Sequence, residues 1–178
     1  MPAARAPAGG PREILLLPVK PWFIALTLLV ALLLDFVPLG RLGWMPDFVA
    51  LTLVFWNVHQ PRRVGMTVAF VLGLMVDVQQ GAVLGQHALI YTVLSYFAIS
   101  LHRRLLWFSP LQQALQVLPL FVAAQGLWLL VGMWSGGSFP GWGFLLAPLL
   151  QAALWPPLSW LLLAPQRRAP DADRNRPL

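Results

Sequence analysis

The chain has no cysteine in its 178 residues, which excludes a disulfide framework, a thiolate metal site and a thiol nucleophile. Charge is scarce as well. Asp, Glu, Lys and Arg make up 10% of the residues, against about 25% in an ordinary soluble domain. Hydrophobic residues account for 58%, so too little polar material remains to cover a water-facing globule, and the implied solvent is lipid. The net charge of +6 comes without a basic helix or ribbon, which argues against nucleic-acid binding. Several reaction signatures are missing too: HExxH, a P-loop, a Gly-x-Ser-x-Gly elbow and a GxGD motif. No enzyme and no cofactor is expected.

Long apolar runs are present instead. A bilayer core takes about 20 residues of helix. Measured against that length, the chain divides into hydrophobic segments at 21–39, 47–58, 64–78, 87–101, 111–134 and 142–163. The expected fold is an all-α integral membrane protein, a compact bundle of six transmembrane helices over 21–163. A basic N-terminus (1–20) and a basic tail (164–178) flank it. With six alternating spans, eleven of the twelve basic residues fall on one side and Arg41 alone on the other. That bias places both termini in the cytoplasm. Arg62-Arg63 and Arg103-Arg104 read first as orientation signals, with contact to anionic lipid or a cytoplasmic partner as the second reading. Most tryptophans, Trp56 among them, fall near span ends, where a headgroup-level belt is expected.

The segments at 47–58 and 64–78 are short for a bilayer, so either they extend into polar flanks or longer neighbours bury them. Small residues recur every fourth position at Gly65, Ala69, Gly73, Gly81 and Gly85. Such a ridge lets membrane helices approach closely. The slot it skips holds Asp77. With Asp35 and Asp47, this acid falls at the outer side, where Arg41 is the only basic residue. A mid-bilayer carboxylate costs about 2.5–3.5 kcal/mol, less near the interface. Two readings stand. Asp35 and Asp77 cap loops or pair with Arg41, or the acids shape a small outward-facing polar pocket or a partner's docking site. His87, Tyr91 and Ser95 lie one helical turn apart and either line that pocket or bond to neighbouring helices. The three histidines divide between the two sides, His87 outside and His59 and His102 inside, so they cannot hold one metal.

Several ordered motifs carry a resemblance: PD at 46–47 opening DFVALTLVFWNV, QPRR at 60–63, FVLGLMVDVQQGAVLGQHAL at 70–89 and LWP at 154–156. The most specific is G-L-x-x-D-x-x-x-G-x-x-L-G-x-x-A-L, met by Gly73, Leu74, Asp77, Gly81, Leu84, Gly85, Ala88 and Leu89. Over about residues 20–163 the chain resembles the rod shape-determining protein MreD family. That resemblance implies a bundle similar to the substrate-binding (S) components of energy-coupling-factor vitamin transporters. It also implies a scaffold role without turnover. The partner would be MreC, a bitopic protein, and through it MreB and the elongation-specific glycosyltransferase and penicillin-binding protein that insert peptidoglycan. The competing expectation is a vitamin-binding S subunit, which should carry several convergent polar groups in the outer half. A lipid-precursor flippase fits less well, because the apolar segments hold no lysine or arginine to meet phosphate.

Overall fold

The computed structural model describes residues 19–36 and 45–166. Among these, six α-helices follow one another: α1 (Pro21–Phe36), α2 (Phe48–His59), α3 (Met66–Gln80), α4 (Gln86–Leu105), α5 (Pro110–Trp134) and α6 (Leu146–Leu163). A 3-10 turn, Trp142–Leu145, leads into α6, and another, Ala164–Gln166, extends it. No strand occurs among the described residues. Arg41, the flanks 1–18 and 167–178, and with them most of the basic termini, lie outside the described residues.

Helix α2 is the axis of the fold. Every residue from Val49 to Val58 is buried, and α1, α4 and α6 pack around it. Its twelve residues reach only about 18 Å at 1.5 Å each, but a helix shielded on all sides by its neighbours need not match a bilayer. Burial therefore resolves the shortness of this segment. It does not for α3, whose fifteen residues bury only Ala69, Gly73, Val76 and Asp77, while Met66, Phe70, Val71, Met75 and Val78 face outward. Two segments, Pro110–Trp134 and Trp142–Gln166, are long and apolar enough to cross a membrane. Both run on through their prolines, Pro119 in α5 and Pro156-Pro157 in α6.

The buried polar side chains join helices. Trp155 Nε1 donates to Gln113 Oε1 at 3.1 Å, tying α6 to α5. Gln86 Nε2 donates to Trp128 O at 3.1 Å, tying α4 to α5. Gln151 Nε2 donates to Asp47 O at 3.2 Å, reaching from α6 to the start of α2. Trp56 is a correction to the expected belt: its ring is fully buried, and its Nε1 donates to Thr27 Oγ1 of α1 at 2.8 Å. An indole with an internal acceptor can leave the headgroup layer for the core. Arg63 donates to the Val19 carbonyl, which fastens the α2–α3 turn to the root of α1.

Helix direction sorts the charges. Asp35 lies at the end of α1, Asp47 before α2, and Asp77 in the last turn of α3. These three acids share one end of the fold. Arg62, Arg63, Arg103 and Arg104 occupy the α2–α3 turn and the end of α4, at the opposite end.

Candidate functional site

An α-helix begins with backbone N–H groups that have no partner inside the helix. Helix α4 begins at Gly85, which has no side chain to cap them. The cap arrives from α3 instead. Asp77 Oδ2 accepts from Gly85 N at 2.9 Å and Ala88 N at 3.3 Å, and Oδ1 accepts from His87 N at 2.7 Å. Asp77 Oδ1 also lies 2.8 Å from His87 Nδ1. A carboxylate at this position is favoured by the positive end of the α4 dipole as well as by its donors. Asp77 is 1% exposed, and it is fully satisfied.

Gly73, one turn earlier on the same face, makes this reach possible. A Cβ there would sit 2.4 Å from Ala88 Cα, 2.5 Å from Ala88 N and 2.6 Å from the His87 carbonyl carbon. The two backbones touch, so the next turn of α3 delivers Asp77 onto the first N–H groups of α4. That is why an aspartate sits on a row of small residues. Only part of that row packs, however. Ala69 is buried beside Gly73, but a Cβ at Gly65, Gly81 or Gly85 meets nothing within 4 Å. Gly65 precedes α3 in extended backbone. Gly81 (φ 62°) and Gly85 (φ 98°) are turn residues in the left-handed region, where glycine carries no Cβ penalty. The expected five-residue packing ridge is thus a two-residue contact followed by a glycine turn.

Helix α2 is capped the same way, by two carboxylates. Asp35 Oδ1 accepts from Phe48 N at 3.1 Å and Oδ2 from Val49 N at 3.0 Å. Asp47, the N-cap itself, accepts from Ala50 N at 2.7 Å. The other Asp47 oxygen accepts from Tyr91 Oη of α4 at 2.7 Å. One ring of contacts therefore joins α1, α2, α3 and α4 at the acidic end.

The structure places Asp77, His87 and Tyr91 inside this ring, each buried against protein partners. None of them lines the open groove at this end. Asp35 and Asp47 are half-buried beside each other at its rim. Ser95, next on the His87–Tyr91 row, accepts from Asn57 Nδ2 at 2.7 Å. The carbonyl of Asn57 is the one fully buried side-chain polar atom without a partner among the described residues. Asn57 was visible in the sequence as the lone amide in DFVALTLVFWNV, but its partner, 38 residues away, was not. The open groove at this end, about 650 Å³, runs between Leu32 and Phe36 of α1 and Val71, Leu74, Met75 and Val78 of α3, with Gln79 as its one polar residue. No group of three or more His, Asp or Glu side chains suited to a metal occurs among the described residues.

A family model described as rod shape-determining protein MreD matches residues 18–164. The chain belongs to the rod shape-determining protein MreD family. The rod shape-determining protein MreD of Haemophilus influenzae is 31% identical over 149 residues, 80% of this chain and 88% of the relative. The match takes in all six helices and every carboxylate of the capping ring. No solved structure matches the chain.

Proposed function

We propose that this family member acts in rod-shape determination as a non-enzymatic, multi-pass subunit of the inner membrane. In this reading it holds a bitopic MreC-like partner at its acidic, periplasm-facing end. Through that partner it joins MreB and the elongation-specific glycosyltransferase and penicillin-binding protein. Tryptophan placement supports the membrane orientation. Trp22, Trp107 and Trp160 are exposed at the arginine end, and Trp134 and Trp142 at the acidic end. Two such girdles are what a bilayer selects. The arginine side is then cytoplasmic, with both termini beside it.

The observation that carries the scaffold reading is the Asp77 cap. It fixes the corner Gly81–Gly85, which displays Val83 at 51% and Leu84 at 70% exposure. A held corner with apolar tips, next to half-buried Asp35 and Asp47, suits docking of another helix. The vitamin-binding alternative draws no comparable support. Asp35, Asp77, His87 and Tyr91, which would line a vitamin pocket, are engaged in helix caps or bonded to the capping acids, and the groove beside them is apolar apart from Gln79. Mild crosslinking in the native bacterium, followed by purification, tests the choice. Recovery of the MreC-like protein with wall-elongation enzymes supports the scaffold. Recovery of paired ATPases and a coupling subunit in its place overturns it.

A further inference from the structure

At the opposite end, the corner between α4 and α5 presents an unusual surface. Leu106, Trp107 and Phe108 are exposed at 46%, 89% and 37%. Arg103 and Arg104 stand beside them, and the four residues Arg103, Arg104, Trp107 and Phe108 border an open hollow of about 350 Å³. Neither guanidinium has a carboxylate partner among the described residues, whose acids all lie at the far end. Arg63, by contrast, is already engaged with a carbonyl of the fold.

The corner is held in place from within. Leu106 N donates to His102 O, Trp107 N to Arg104 O and Phe108 N to Leu105 O, at 3.1, 3.3 and 3.1 Å. Gln113, itself buried and bonded to Trp155, donates to Phe108 O at 3.0 Å. Ser109 and Gln112 form a capping box that starts α5. A backbone this fully bonded displays its side chains with little left to order on binding. An indole 89% exposed is poorly placed in water and well placed at the acyl boundary. Two guanidiniums next to it, without a carboxylate partner among the described residues, match the phosphates of the cytoplasmic leaflet in charge and in donor geometry.

We infer that the α4–α5 corner is a binding site for the phosphate headgroup of an anionic phospholipid, with Arg103 and Arg104 as its donors and Trp107 seated beside the acyl chains. This rests on the membrane orientation proposed above.

The test reconstitutes the full chain into nanodiscs of equal parts phosphatidylglycerol and phosphatidylcholine, then counts retained lipid by native mass spectrometry. Wild-type protein is expected to retain phosphatidylglycerol preferentially. R103Q/R104Q should lower that preference by on the order of tenfold to thirtyfold, and the charge-matched R5Q/R12Q should lower it far less. W107A keeps the charge and should shorten retention severalfold, an independent readout if the arginine variant inserts poorly. Equal losses in the two charge-matched pairs would reduce the site to diffuse electrostatics and overturn the inference. So would equal retention of both lipids. Failure of wild-type chain to enter the bilayer at all would defeat the membrane orientation itself, a distinct result.

Discussion

Replacing Gly73 by alanine probes the contact on which the acidic end is built. The added methyl meets Ala88 Cα at 2.4 Å, where ordinary contact begins at 3.4 Å, so α3 and α4 must part by about 1 Å. Backbone atoms oppose it, and no side chain can rotate away. Overpacking of this kind costs about 1–3 kcal/mol. The same displacement stretches the four Asp77 contacts, now 2.7–3.3 Å, beyond hydrogen-bond range. Bonds to a charged group contribute about 1.5–3 kcal/mol each, though a tilting helix would keep some of them. A combined loss of roughly 3–5 kcal/mol is expected, at the severe end of single substitutions. Gly65→Ala is the internal control, because its Cβ meets nothing within 4 Å. Its effect should stay within about 1 kcal/mol. Thermal unfolding of both variants in the same mild detergent, followed by monodispersity on gel filtration, measures the difference. If Gly73→Ala is as stable as Gly65→Ala, the helices do not touch here and the delivery of Asp77 onto α4 needs another explanation.

Other substitutions around the ring have their own expected outcomes. Asp77→Asn keeps the shape but loses the charge, and should cost about 1.5–3 kcal/mol in the same unfolding assay. His87→Ala should cost less, because three backbone donors remain on Asp77. The double variant should then show coupling well above the roughly 0.5 kcal/mol scatter of independent sites. Tyr91→Phe removes one bond to Asp47 and should cost about 1 kcal/mol without altering helix content by circular dichroism. Asn57→Leu with Ser95→Ala removes both members of a buried pair whose carbonyl is already unsatisfied. That pair of changes should be near neutral or stabilising, whereas Ser95→Ala alone strands the amide and should cost about 1–3 kcal/mol.

Much of the architecture was legible because long apolar runs leave a strong imprint. Six apolar runs separated by turn residues appear as six helices among the described residues, with boundaries differing by a few residues. Part of the charge division was legible as well: among the described residues, Arg62, Arg63, Arg103 and Arg104 lie at the end opposite the three acids. The chemistry of the acids was harder to read. A helix cap supplied from another helix has no fixed spacing: Asp35 reaches Val49 across 14 residues, and Asp77 reaches Ala88 across 11. Nothing local distinguishes such an acid from one lining a pocket. The glycines misled for a related reason. Gly73, which must lack a side chain for packing, and Gly81, which must adopt a positive φ, look alike as letters, and only the position of the α3 terminus separates them. Trp56 was assigned to the belt because it lies near the end of its segment, and a central helix roofed by three others reverses that inference.

The proposed partner surface is tested most directly by placing a photo-activatable residue at Leu84 in the living bacterium and identifying what it captures, with and without Asp77→Asn. Leu84 is exposed at the tip of the corner that Asp77 holds. We expect an adduct with a bitopic MreC-like protein that is strong in the otherwise unchanged chain and largely lost in the Asp77→Asn variant, although that variant still inserts. An adduct with lipid alone, or undiminished capture of the partner without the Asp77 charge, would contradict a docking surface built on that cap.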